Sequence, residues 1–483
     1  MRRDDGTPIR RTKLVCTIGP ASVGRIDELV AAGMDVARIN LSHGSPASHL
    51  AAAAAVRRAE AAAGRPIAIL VDLAGPKIRL GPLVDDLADL TAGSTFVLAS
   101  APRSDAGDAA GAHVTDPDLA AEVQVGDPIF LADGAVELRV TAIDDDVRTE
   151  VVRGGTIRSR AGVVIPADRS HAPPLTAKDR ADLTRVAELG ADYVGQSFVR
   201  AASDIEALRD VVGPDGPRVV AKIETRPAVE AFEAILEVTD AVMIARGDLG
   251  VEVPYEHVPL IQKQLVGRAL ERGVPTIVAT QMLESMTVAP RPTRAEASDV
   301  ANAVFDGADA VMLSGETAIG ANPIESARAA VRIVTRAESD GAAYLPVITP
   351  RPSATDRAAV VAAAVTLASA HDDIAAICCA TRTGRTALAL AALRPRVPII
   401  ALSADPGVVA RLTLVSGVVP RLASSFGAAD QIGGVGRWLA DAGLLGHGAS
   451  VVIVASGDGA AAGSQLLGIQ RVGTLTPGPA GER

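Results

Sequence analysis

The sequence predicts an α/β fold built on a closed (β/α)8 barrel, the TIM-barrel architecture. Short apolar runs alternate with alanine-rich segments of helical character, which is the pattern of βα units that form a parallel sheet. Eight such runs fit the eight parallel strands of a closed barrel. The expected strands are Lys13–Thr17, Val36–Asn40, Ile67–Leu73, Tyr193–Val199, Arg218–Ile223, Ala241–Ala245, Thr276–Thr280 and Ala310–Ser314.

Polar or glycine-rich residues follow most of these runs. Clear examples are the segments Asn40–Gly44, Asp72–Lys77 and Ser314–Thr317. Because the C-terminal strand ends of such a barrel form its active face, these segments predict a catalytic site there.

The regular alternation is interrupted between Lys77 and about Ala172. Short alternating runs joined by Gly, Asp and Pro predict a small β-barrel domain at residues 77–172, inserted after the third strand of a barrel formed by residues 1–76 and 173–340. An insertion at the active face can act as a lid that excludes water. The alternative is a loop domain without a catalytic role. The expected strands of the inserted segment are Thr95–Ala99, Pro128–Leu131, Val136–Ile143 and Val147–Val152.

A third unit is expected at residues 341–483, with the Pro-containing segment Leu345–Pro352 as the linker that leads into it. It reads as an α/β sandwich of ordinary domain size. Its expected strands are Ile374–Cys379, Val397–Leu402, Gly417–Leu422 and Ser450–Ala455.

Composition restricts the class of protein. A formal net charge of −10 over 483 residues argues against a general nucleic-acid binder. The start of the chain has no apolar stretch after Met1–Asp5, so no signal peptide is expected, and no uncharged apolar run reaches membrane-spanning length. The three cysteines, Cys16, Cys378 and Cys379, lie in apolar runs and are expected to be buried free thiols in a reducing compartment. We therefore expect a cytoplasmic protein.

A lysine and two carboxylates stand at the ends of two successive predicted strands. Lys222 and Glu224 end the run Arg218–Ile223, and Asp248 follows the run Ala241–Ala245. Mg²⁺ takes oxygen ligands, commonly one or two carboxylates completed by substrate oxygens. A lysine ammonium is a compact charge suited to a phosphoryl or enolate oxygen. The alternative for either fragment alone is an ordinary salt bridge at a strand end.

Six motifs in a fixed order identify the family that the chain resembles. They are Lys13–Ser22, Ala37–Gly44, Ala221–Glu224, Ala245–Gly250, Ala279–Met286 and Met312–Thr317. Together with an insertion at the place where this family has one, these motifs show that the chain resembles pyruvate kinases over nearly its whole length. The resemblance implies phosphoryl transfer from phosphoenolpyruvate to ADP, with Mg²⁺ or Mn²⁺ as cofactor, in an enzyme that is typically a homotetramer.

The resemblance implies a role for each polar residue at the barrel mouth. Lys222 would neutralise the phosphoryl group in flight and then the enolate oxygen, while Arg38 would hold the phosphate from the opposite side. Glu224 and Asp248 would bind the metal ion. The substrate carboxylate is expected to bind to Gly247, Asp248 and Thr280. The nucleotide or its phosphates are expected to contact Asn40, His43 and Arg79. The proton route to the enolate is expected to consist of Thr280, Ser314 and Glu316. A helix-capping role for Ser314 and Glu316, and a plain loop position for His43, are the open alternatives.

Two positions depart from the pattern of many relatives. Those relatives hold a monovalent cation with residues that match Asn40, Ser42, Asp72 and the carbonyl of residue 73, and usually carry Thr at 73 and Glu at 77. Here these positions are Leu73 and Lys77. The lysine ammonium could replace K⁺, so the chain resembles the potassium-independent branch. The alternative is a lysine that points to solvent.

The last domain carries a possible phosphate-binding loop. The segment Thr381, Arg382, Thr383, Gly384, Arg385 and Thr386 lies between a predicted strand and helix, where the family has its sugar-phosphate effector loop. Gly463–Gln465 matches a second effector loop. We expect a phosphometabolite effector, against the alternative of a structural turn. The rival functions for the whole chain are a metal-enolate aldolase or lyase of a 2-oxo acid, and a non-catalytic paralogue that senses sugar phosphates.

Overall fold

The computed structural model describes residues 10–100, 105–116, 118–168, 172–346, 348, 356–423, 434–456 and 465–473. Its strands are β1 (Lys13–Thr17), β2 (Val36–Asn40), β3 (Ala68–Asp72), β4 (Ile78–Arg79), β5 (Leu87–Leu90), β6 (Thr95–Ala99), β7 (Gly111–His113), β8 (Pro128–Leu131), β9 (Val136–Ile143), β10 (Asp146–Arg153), β11 (Gly155–Arg158), β12 (Gly162–Val164), β13 (Tyr193–Gln196), β14 (Arg218–Ile223), β15 (Ala241–Ala245), β16 (Thr276–Ala279), β17 (Ala310–Leu313), β18 (Ile374–Ala380), β19 (Ile399–Ser403), β20 (Val418–Leu422), β21 (Ser450–Ser456) and β22 (Gln465–Arg471).

The helices follow the barrel strands and flank the last sheet. They are α1 (Ile26–Ala32), α2 (Pro46–Ala63), α3 (Leu119–Glu122), α4 (Ala177–Leu183), α5 (Ala202–Val212), α6 (Arg226–Glu230), α7 (Phe232–Val238), α8 (Arg246–Glu252), α9 (Val258–Arg272), α10 (Arg294–Asp306), α11 (Gly315–Ala318), α12 (Pro323–Asp340), α13 (Asp356–Ala370), α14 (Arg385–Ala392), α15 (Pro406–Arg411) and α16 (Val435–Asp441). None of the helices in these described ranges is long and apolar enough to cross a bilayer.

Eight parallel strands close the barrel in the order β1-β17-β16-β15-β14-β13-β3-β2, which confirms the predicted (β/α)8 fold. The predicted strands are too long at two ends that matter for function. Strand β16 stops before Thr280 and β13 stops before Ser197, because Thr280 (φ 69°) and Phe198 (φ 55°) adopt the left-handed conformation, which a strand does not accommodate.

Local sequence accounts for the barrel helices. Helix α10, for example, begins with a capping box in which the Thr293 side chain accepts from the N–H of Glu296, whose own side chain accepts from the N–H of Thr293. The same helix ends at Gly307, whose φ of 95° lets its N–H cap the last turn.

The inserted segment folds into a β structure. A seven-stranded sheet has the order β4-β12-β8-β9-β10-β6-β7, and β11 pairs with β5. An isolated bridge between Leu80 and Val114 joins the continuations of the two edge strands, so the sheet curls toward closure. The four predicted strands are present. Five others (β4, β5, β7, β11 and β12) were not predicted, since runs this short show no clear alternation.

The C-terminal segment forms a five-stranded sheet in the order β20-β19-β18-β21-β22. The four predicted strands are present, and β22 adds an antiparallel edge. Adjacent residues of β18 face opposite sides of the sheet, so Cys378 and Cys379 enter different apolar cores. All three cysteines are buried and free, as expected, and burial raises the pKa of Cys379 to about 12.

The C-terminal sheet closes the floor of the barrel, at the end opposite the predicted active face. Leu414 packs into the apolar core inside the barrel. The Tyr193 hydroxyl donates to the carbonyl of Arg411 at 2.7 Å, and the Lys13 ammonium donates to the carbonyl of Val418 at 2.6 Å. The barrel mouth is therefore left free on the side from which the inserted segment emerges.

Candidate active site

Lys222 lies at the centre of a buried polar cluster at the C-terminal end of β14. Its ammonium donates to the Ser197 hydroxyl at 2.7 Å and lies 2.8 Å from Oε1 of Glu224 and 3.4 Å from Oδ1 of Asp72. The neighbouring strands β13 and β3 supply Ser197 and Asp72 just past or at their ends. The parallel register of the barrel thus converges these groups at one point.

Arg38 reaches the same cluster from β2. Its Nε and Nη2 atoms donate to Oδ2 of Asp72 at 2.8 and 2.5 Å, and Nη1 donates to the Thr17 hydroxyl at 3.0 Å. Both partners of the Arg38–Asp72 pair are buried. Two cations, Arg38 and Lys222, therefore flank Asp72, and Glu224 also pairs with Lys222, so two cations and two carboxylates share the buried cluster.

The pKa shifts in the cluster follow from burial and from these close opposite charges. Burial favours neutral Asp72, yet Lys222 and Arg38 outweigh it and lower the pKa of that carboxyl. Burial opposes the charged form of Lys222, but Asp72 and Glu224 outweigh it and raise the pKa of the ammonium. For Glu224, burial and the charge of Asp248 raise the pKa, with Lys222 acting in the opposite direction.

The two carboxylates at the mouth fit a divalent metal ion. Among the described residues no set of three or more His, Cys, Asp or Glu side chains forms a complete metal cage. Glu224 and Asp248 are instead two carboxylates of the kind that would bind an ion whose remaining ligands are substrate oxygens and water. The repulsion by which Asp248 raises the pKa of Glu224 is what a divalent cation between them would relieve.

Lys77 contacts one of these carboxylates. Its ammonium lies 3.0 Å from Oδ1 of Asp248 and 3.8 Å from Oδ1 of Asp133, and the side chain is only 23% exposed. The lysine therefore does not point to solvent. Its ion pairs are with Asp248 and Asp133 and not with Asp72, so the structure brings Lys77 to the predicted metal ligand rather than onto the predicted cation ligands.

The remaining residues of the predicted monovalent-cation site stay together at the ends of β2 and β3. The Asn40 side chain accepts from the N–H of Ser42 at 3.0 Å, and the carbonyl of Leu73 accepts from the Ser197 hydroxyl at 2.8 Å. Oδ1 of Asp72 accepts no hydrogen bond from the described residues. Its nearest cation is Lys222, at 3.4 Å.

Gly247 and Thr280 meet across the ends of β15 and β16. The Gly247 N–H donates to the Thr280 hydroxyl at 2.7 Å, and that hydroxyl donates to the carbonyl of Ala279 at 2.5 Å. A β-branched residue at a φ of 69° is strained, by about 1–3 kcal/mol for such conformations. Strain of this kind persists only where surrounding contacts impose it.

Arg246 supplies those contacts. Its Nη2 donates to the carbonyl of Thr280 at 2.7 Å and its Nε to the carbonyl of Ala279 at 3.2 Å. The guanidinium is held in turn by Asp299 at 2.7 Å. Arg246 thus fixes the strained peptide beside the site without being one of its predicted residues.

The structure places Ser314 and Glu316 at the end of β17, next to the strand that ends before Thr280. Oε2 of Glu316 accepts from the N–H of Ser314 at 2.7 Å, and Oε1 accepts from the N–H of Leu283 at 2.9 Å. Glu316 is fully buried. In the described part of the chain neither residue makes a hydrogen bond to Thr280, and the contacts of Glu316 are those of a backbone cap.

Arg79 and His43 lie on the side of the mouth nearest the inserted segment. The Arg79 guanidinium donates to the carbonyl of Arg160 at 3.1 Å, and the His43 carbonyl contacts the His49 ring at 2.7 Å. Partial burial and the nearby charges of Arg79, Arg38 and Lys77 lower the pKa of His43. Arg79, Arg38 and Lys77 thus form a cationic rim of the mouth, close to His43 and beside the inserted segment.

The predicted effector loop is a compact turn between β18 and α14. The Thr381 hydroxyl accepts from the N–H of Gly384 at 3.0 Å, and Gly384 has a φ of 84°, which favours glycine. Arg382, Thr383, Arg385 and Thr386 complete the turn and start the helix. In the second predicted loop, Gly463 and Ser464 lie outside the described residues, and Gln465 begins β22.

Sequence reasoning missed two residues of the site. Ser197 holds the Lys222 ammonium, and Arg246 holds the strained Thr280 peptide. Arg246 follows directly after the predicted strand Ala241–Ala245, and Ser197 lies near the end of the predicted strand Tyr193–Val199. Their position at strand ends on the active face was the available signal.

The fold and the cationic, carboxylate-bearing mouth define a barrel phosphotransferase. The family model for the pyruvate kinase barrel domain matches residues 9–327, and the model for the pyruvate kinase alpha/beta domain matches residues 358–466. The chain belongs to the pyruvate kinase family. Its members transfer a phosphoryl group from phosphoenolpyruvate to ADP, giving pyruvate and ATP.

Named relatives agree over nearly the full chain. The pyruvate kinase of Mycobacterium intracellulare is 43% identical over 478 residues, covering 96% of this chain and 99% of the relative. That of Geobacillus stearothermophilus is 41% identical over 457 residues, covering 92% of this chain and 77% of the relative. The crystal structure of a pyruvate kinase from Cryptosporidium parvum superposes with a TM-score of 0.85 at 32% identity and covers 96% of both chains.

Proposed function

We propose that the mouth of this barrel transfers the phosphoryl group of phosphoenolpyruvate to ADP with Lys222 as the principal cation. The observation that carries the proposal is the contact of the Lys222 ammonium with Glu224 at 2.8 Å, in a buried cluster shared with Asp72 and Arg38. A fixed cation in a site of low dielectric stabilises developing negative charge without reorganisation.

Glu224 and Asp248 would hold Mg²⁺ or Mn²⁺. When bound, the ion would supply positive charge that stabilises the anionic substrates. The chain's own contribution is to free the two carboxylates. Lys77 must leave Oδ1 of Asp248, which it now contacts at 3.0 Å, and Lys222 must turn its ammonium from Glu224 toward the phosphoryl oxygens.

Gly247, Asp248 and Thr280 would bind the substrate carboxylate. A Cβ built on Gly247 would lie 3.5 Å from the Thr280 side chain, which is an ordinary contact. The surrounding protein therefore does not require glycine there, but a bound carboxylate close to the Gly247 N–H would. On binding, this carboxylate would replace the Thr280 hydroxyl as the acceptor of that N–H.

Arg38 and Lys222 would face the transferred phosphoryl group from two sides. After transfer, Lys222 would remain beside the enolate oxygen and favour the charge that forms there. Thr280 and Ser314 would position the proton donor, with water as the final source. Glu316 would act through the backbone of Ser314 and Leu283, to which its oxygens are bonded at 2.7 and 2.9 Å.

Lys77 would make the reaction independent of K⁺. Its ammonium lies at the mouth and supplies a positive charge there. A glutamate at this position would instead need a free cation to supply that charge. The inserted segment would serve as the lid, since Lys77 and Asp133 both come from it and meet above Asp248. Arg79, His43 and Asn40 would contact the nucleotide along the cationic rim.

We also infer regulation through the loop from Thr381 to Thr386. Two arginines, three threonines and a left-handed glycine suit a phosphate group. A phosphometabolite effector, a homotetramer and a cytoplasmic location belong to the same proposal. They are supported by the family to which the chain belongs.

The decisive experiment measures pyruvate formation with and without ADP in buffer free of K⁺ and Na⁺. The parent should require phosphoenolpyruvate, ADP and a divalent metal ion. Lys222→Met should lose at least about 10³-fold in kcat, because the removed charge acts on the transition state. The matched control is Lys263→Met, at an exposed lysine paired with Asp306. Pyruvate release from a 2-oxo acid substrate without ADP would support the aldolase alternative, and no turnover in the parent would support a non-catalytic sensor.

A further inference from the structure

A cavity of about 750 Å³ lies at the floor of the barrel, between the barrel and the C-terminal sheet. It is separate from the active site at the mouth. None of the residues of the loop Thr381–Thr386 lines it, so it is also separate from the predicted effector site. Its walls come from the segment before β1, from α12 and α13, and from the segments before β19 and β20.

Three arginines line this cavity: Arg11, Arg394 and Arg396. They differ in their partners. The Arg394 guanidinium is paired with both oxygens of Asp309 at 2.9 Å and donates to the carbonyl of Gly307. The guanidiniums of Arg11 and Arg396 make no hydrogen bond or ion pair with any described residue.

The charges around the cavity are unbalanced. The only carboxylate among its lining residues in the described part of the chain is that of Glu338, and its two oxygens accept the backbone N–H groups of Arg11 and Thr12 at 2.8 and 2.6 Å. Burial lowers the pKa of Arg11; Glu338 acts in the opposite direction, and the like charges of Arg394 and Arg396 lower it further. An arginine remains charged at any such shift. The cluster is therefore short of an anion.

The rest of the lining suits a small organic molecule. Hydroxyl groups of Thr335, Ser369 and Ser416 alternate with the apolar side chains of Val365 and Leu393. A volume of about 750 Å³ falls within the range of ligand sites in proteins. Guanidinium groups bind phosphate oxygens in a planar, bidentate manner, whereas the apolar patches can cover the remainder of a ligand.

We propose that this cavity binds a phosphate monoester of a small metabolite, with the phosphate held by Arg11 and Arg396. The ligand would bridge the barrel and the C-terminal sheet, because Arg11 precedes β1 and Arg396 precedes β19. This site goes beyond the proposed catalytic function and does not depend on the effector loop.

The position of the cavity also explains how a bound ligand would affect the barrel. Asp309, the partner of Arg394, accepts the N–H of Thr276 at 3.0 Å and the N–H of Ser416 at 3.0 Å. It therefore joins the starts of β16 and β17 to the C-terminal domain. The opposite ends of these strands lead into Thr280 and Ser314. A ligand that strengthens the contacts between the barrel floor and the C-terminal domain thus acts on β16 and β17, the strands that lead into Thr280 and Ser314.

The test is direct binding to the full-length protein by isothermal titration calorimetry. The probes are inorganic phosphate, AMP and glucose 6-phosphate, used one at a time. The parent is compared with the double variant Arg11→Gln/Arg396→Gln, with Arg382→Ala at the effector loop, and with Arg357→Gln, an exposed arginine that does not line the cavity. A double variant Arg11→Lys/Arg396→Lys keeps the charges but loses the bidentate geometry.

One monoester should bind the parent with one site per chain at this cavity. The affinity of that site should fall at least about tenfold in the glutamine variant and less in the lysine variant, because charge-assisted hydrogen bonds are lost. Arg382→Ala and Arg357→Gln should keep it. AMP and glucose 6-phosphate serve to distinguish a nucleotide from a sugar phosphate.

Three results would overturn the proposal. The first is unchanged binding of every probe in the glutamine variant. The second is a parent that binds no monoester, or binds inorganic phosphate as tightly as either monoester. The third is a site whose loss follows Arg382→Ala alone. A kcat at saturating phosphoenolpyruvate equal to that of the parent shows that the glutamine variant is folded.

Discussion

The ammonium of Lys77 lies 3.0 Å from Oδ1 of Asp248, so the first residue of the inserted segment reaches a carboxylate of the barrel that we assign to the metal. A single contact therefore links the inserted segment, a carboxylate at the barrel mouth and the position at which this chain departs from many relatives. In the function proposed above, substrate and metal binding would break this ion pair, and the lysine would then remain as a mobile charge at the mouth.

The first prediction concerns Lys77→Glu. The parent should be fully active without K⁺, whereas the variant should be nearly inactive until K⁺ is added, since glutamate beside Asp248 and Asp133 requires a cation. Initial rates are measured against K⁺ at constant ionic strength, with a bulky organic cation as the replacement salt. Lys263→Glu is the control and should show no response. A parent that is idle without K⁺ contradicts the idea.

The second prediction tests whether position 247 requires glycine because of the bound substrate or because of the surrounding protein. Gly247→Ala should raise the KM for phosphoenolpyruvate at least about tenfold, because its Cβ would stand where the substrate carboxylate binds. Stability should not fall, since the Cβ makes only ordinary contacts with Thr280. Gly267→Ala is a matched control in helix α9, with nothing within 4 Å of its Cβ, and should leave KM unchanged. Equal KM values in parent and Gly247→Ala would remove Gly247 from the substrate site.

The third prediction concerns Arg246, a positioning residue. Arg246→Ala should lower kcat about 10–100-fold, because the peptide of Thr280 at a φ of 69° loses the donors that hold it. The variant should also be less stable by about 2–3 kcal/mol, since Asp299 and the carbonyl groups lose a charged donor.

The control for Arg246 is Arg328→Ala, an exposed arginine paired with Glu325. It should change stability by less than about 0.5 kcal/mol and leave kcat intact. Chemical denaturation and steady-state kinetics measure both effects. If Arg246→Ala lost stability but kept kcat and the KM for phosphoenolpyruvate, the role of this residue would be structural alone.

The fourth prediction concerns pH and Glu252 at the end of α8. Burial raises the pKa of this carboxyl to about 7, and the N–H groups of Arg226 and Ala167 act against it. Because the pKa is raised on folding, the contribution of Glu252 to stability is present in full below the unfolded pKa of about 4.3 and is lost as pH rises through about 7.

Glu252→Gln should therefore leave the free energy of unfolding nearly unchanged at pH 4 and raise it at pH 8, by at most about 3–4 kcal/mol. Urea titrations at both pH values measure this difference, and Glu271→Gln, at an exposed glutamate, is the control. An equal effect of Glu252→Gln at the two pH values would show that the carboxyl does not titrate in this range.

The fifth prediction tests the effector loop. Hexose phosphates and AMP are titrated against the phosphoenolpyruvate saturation curve of the parent and of Arg382→Ala. At least one ligand should shift the parent curve to lower phosphoenolpyruvate concentration, and Arg382→Ala should lose most of that shift, because the guanidinium is a bidentate phosphate donor. A parent curve that no ligand moves would leave the loop as a structural turn.

The barrel could be predicted from sequence because each of its strands is a continuous apolar run that ends in a polar motif. The convergence of Lys222, Glu224 and Asp248 followed from the same periodicity, since parallel strands end at one face. The short strands of the inserted segment, such as β4 (Ile78–Arg79), carry too few residues to show alternation.

Other features of the site depend on contacts between distant segments. The ion pair between Lys77 and Asp248 joins residues that follow β3 and β15, two strands that are not neighbours in the barrel, and no local pattern specifies it. The left-handed conformation of Thr280 goes against the preference of a β-branched residue and exists only because Arg246 and the neighbouring strands hold it. Sequence motifs located these residues, but their geometry is a property of the packed barrel.

The seating of Leu414 inside the barrel floor has a consequence for how the chain can be divided. A fragment ending near residue 340 would open the apolar interior to water and strip the Lys13 ammonium of its acceptor, the carbonyl of Val418. Burial lowers the pKa of Lys13 to about 8 in the whole chain, and exposure to water at an open floor would remove this effect. We therefore expect that a chain with an exchanged C-terminal domain must keep an apolar residue at the position of Leu414.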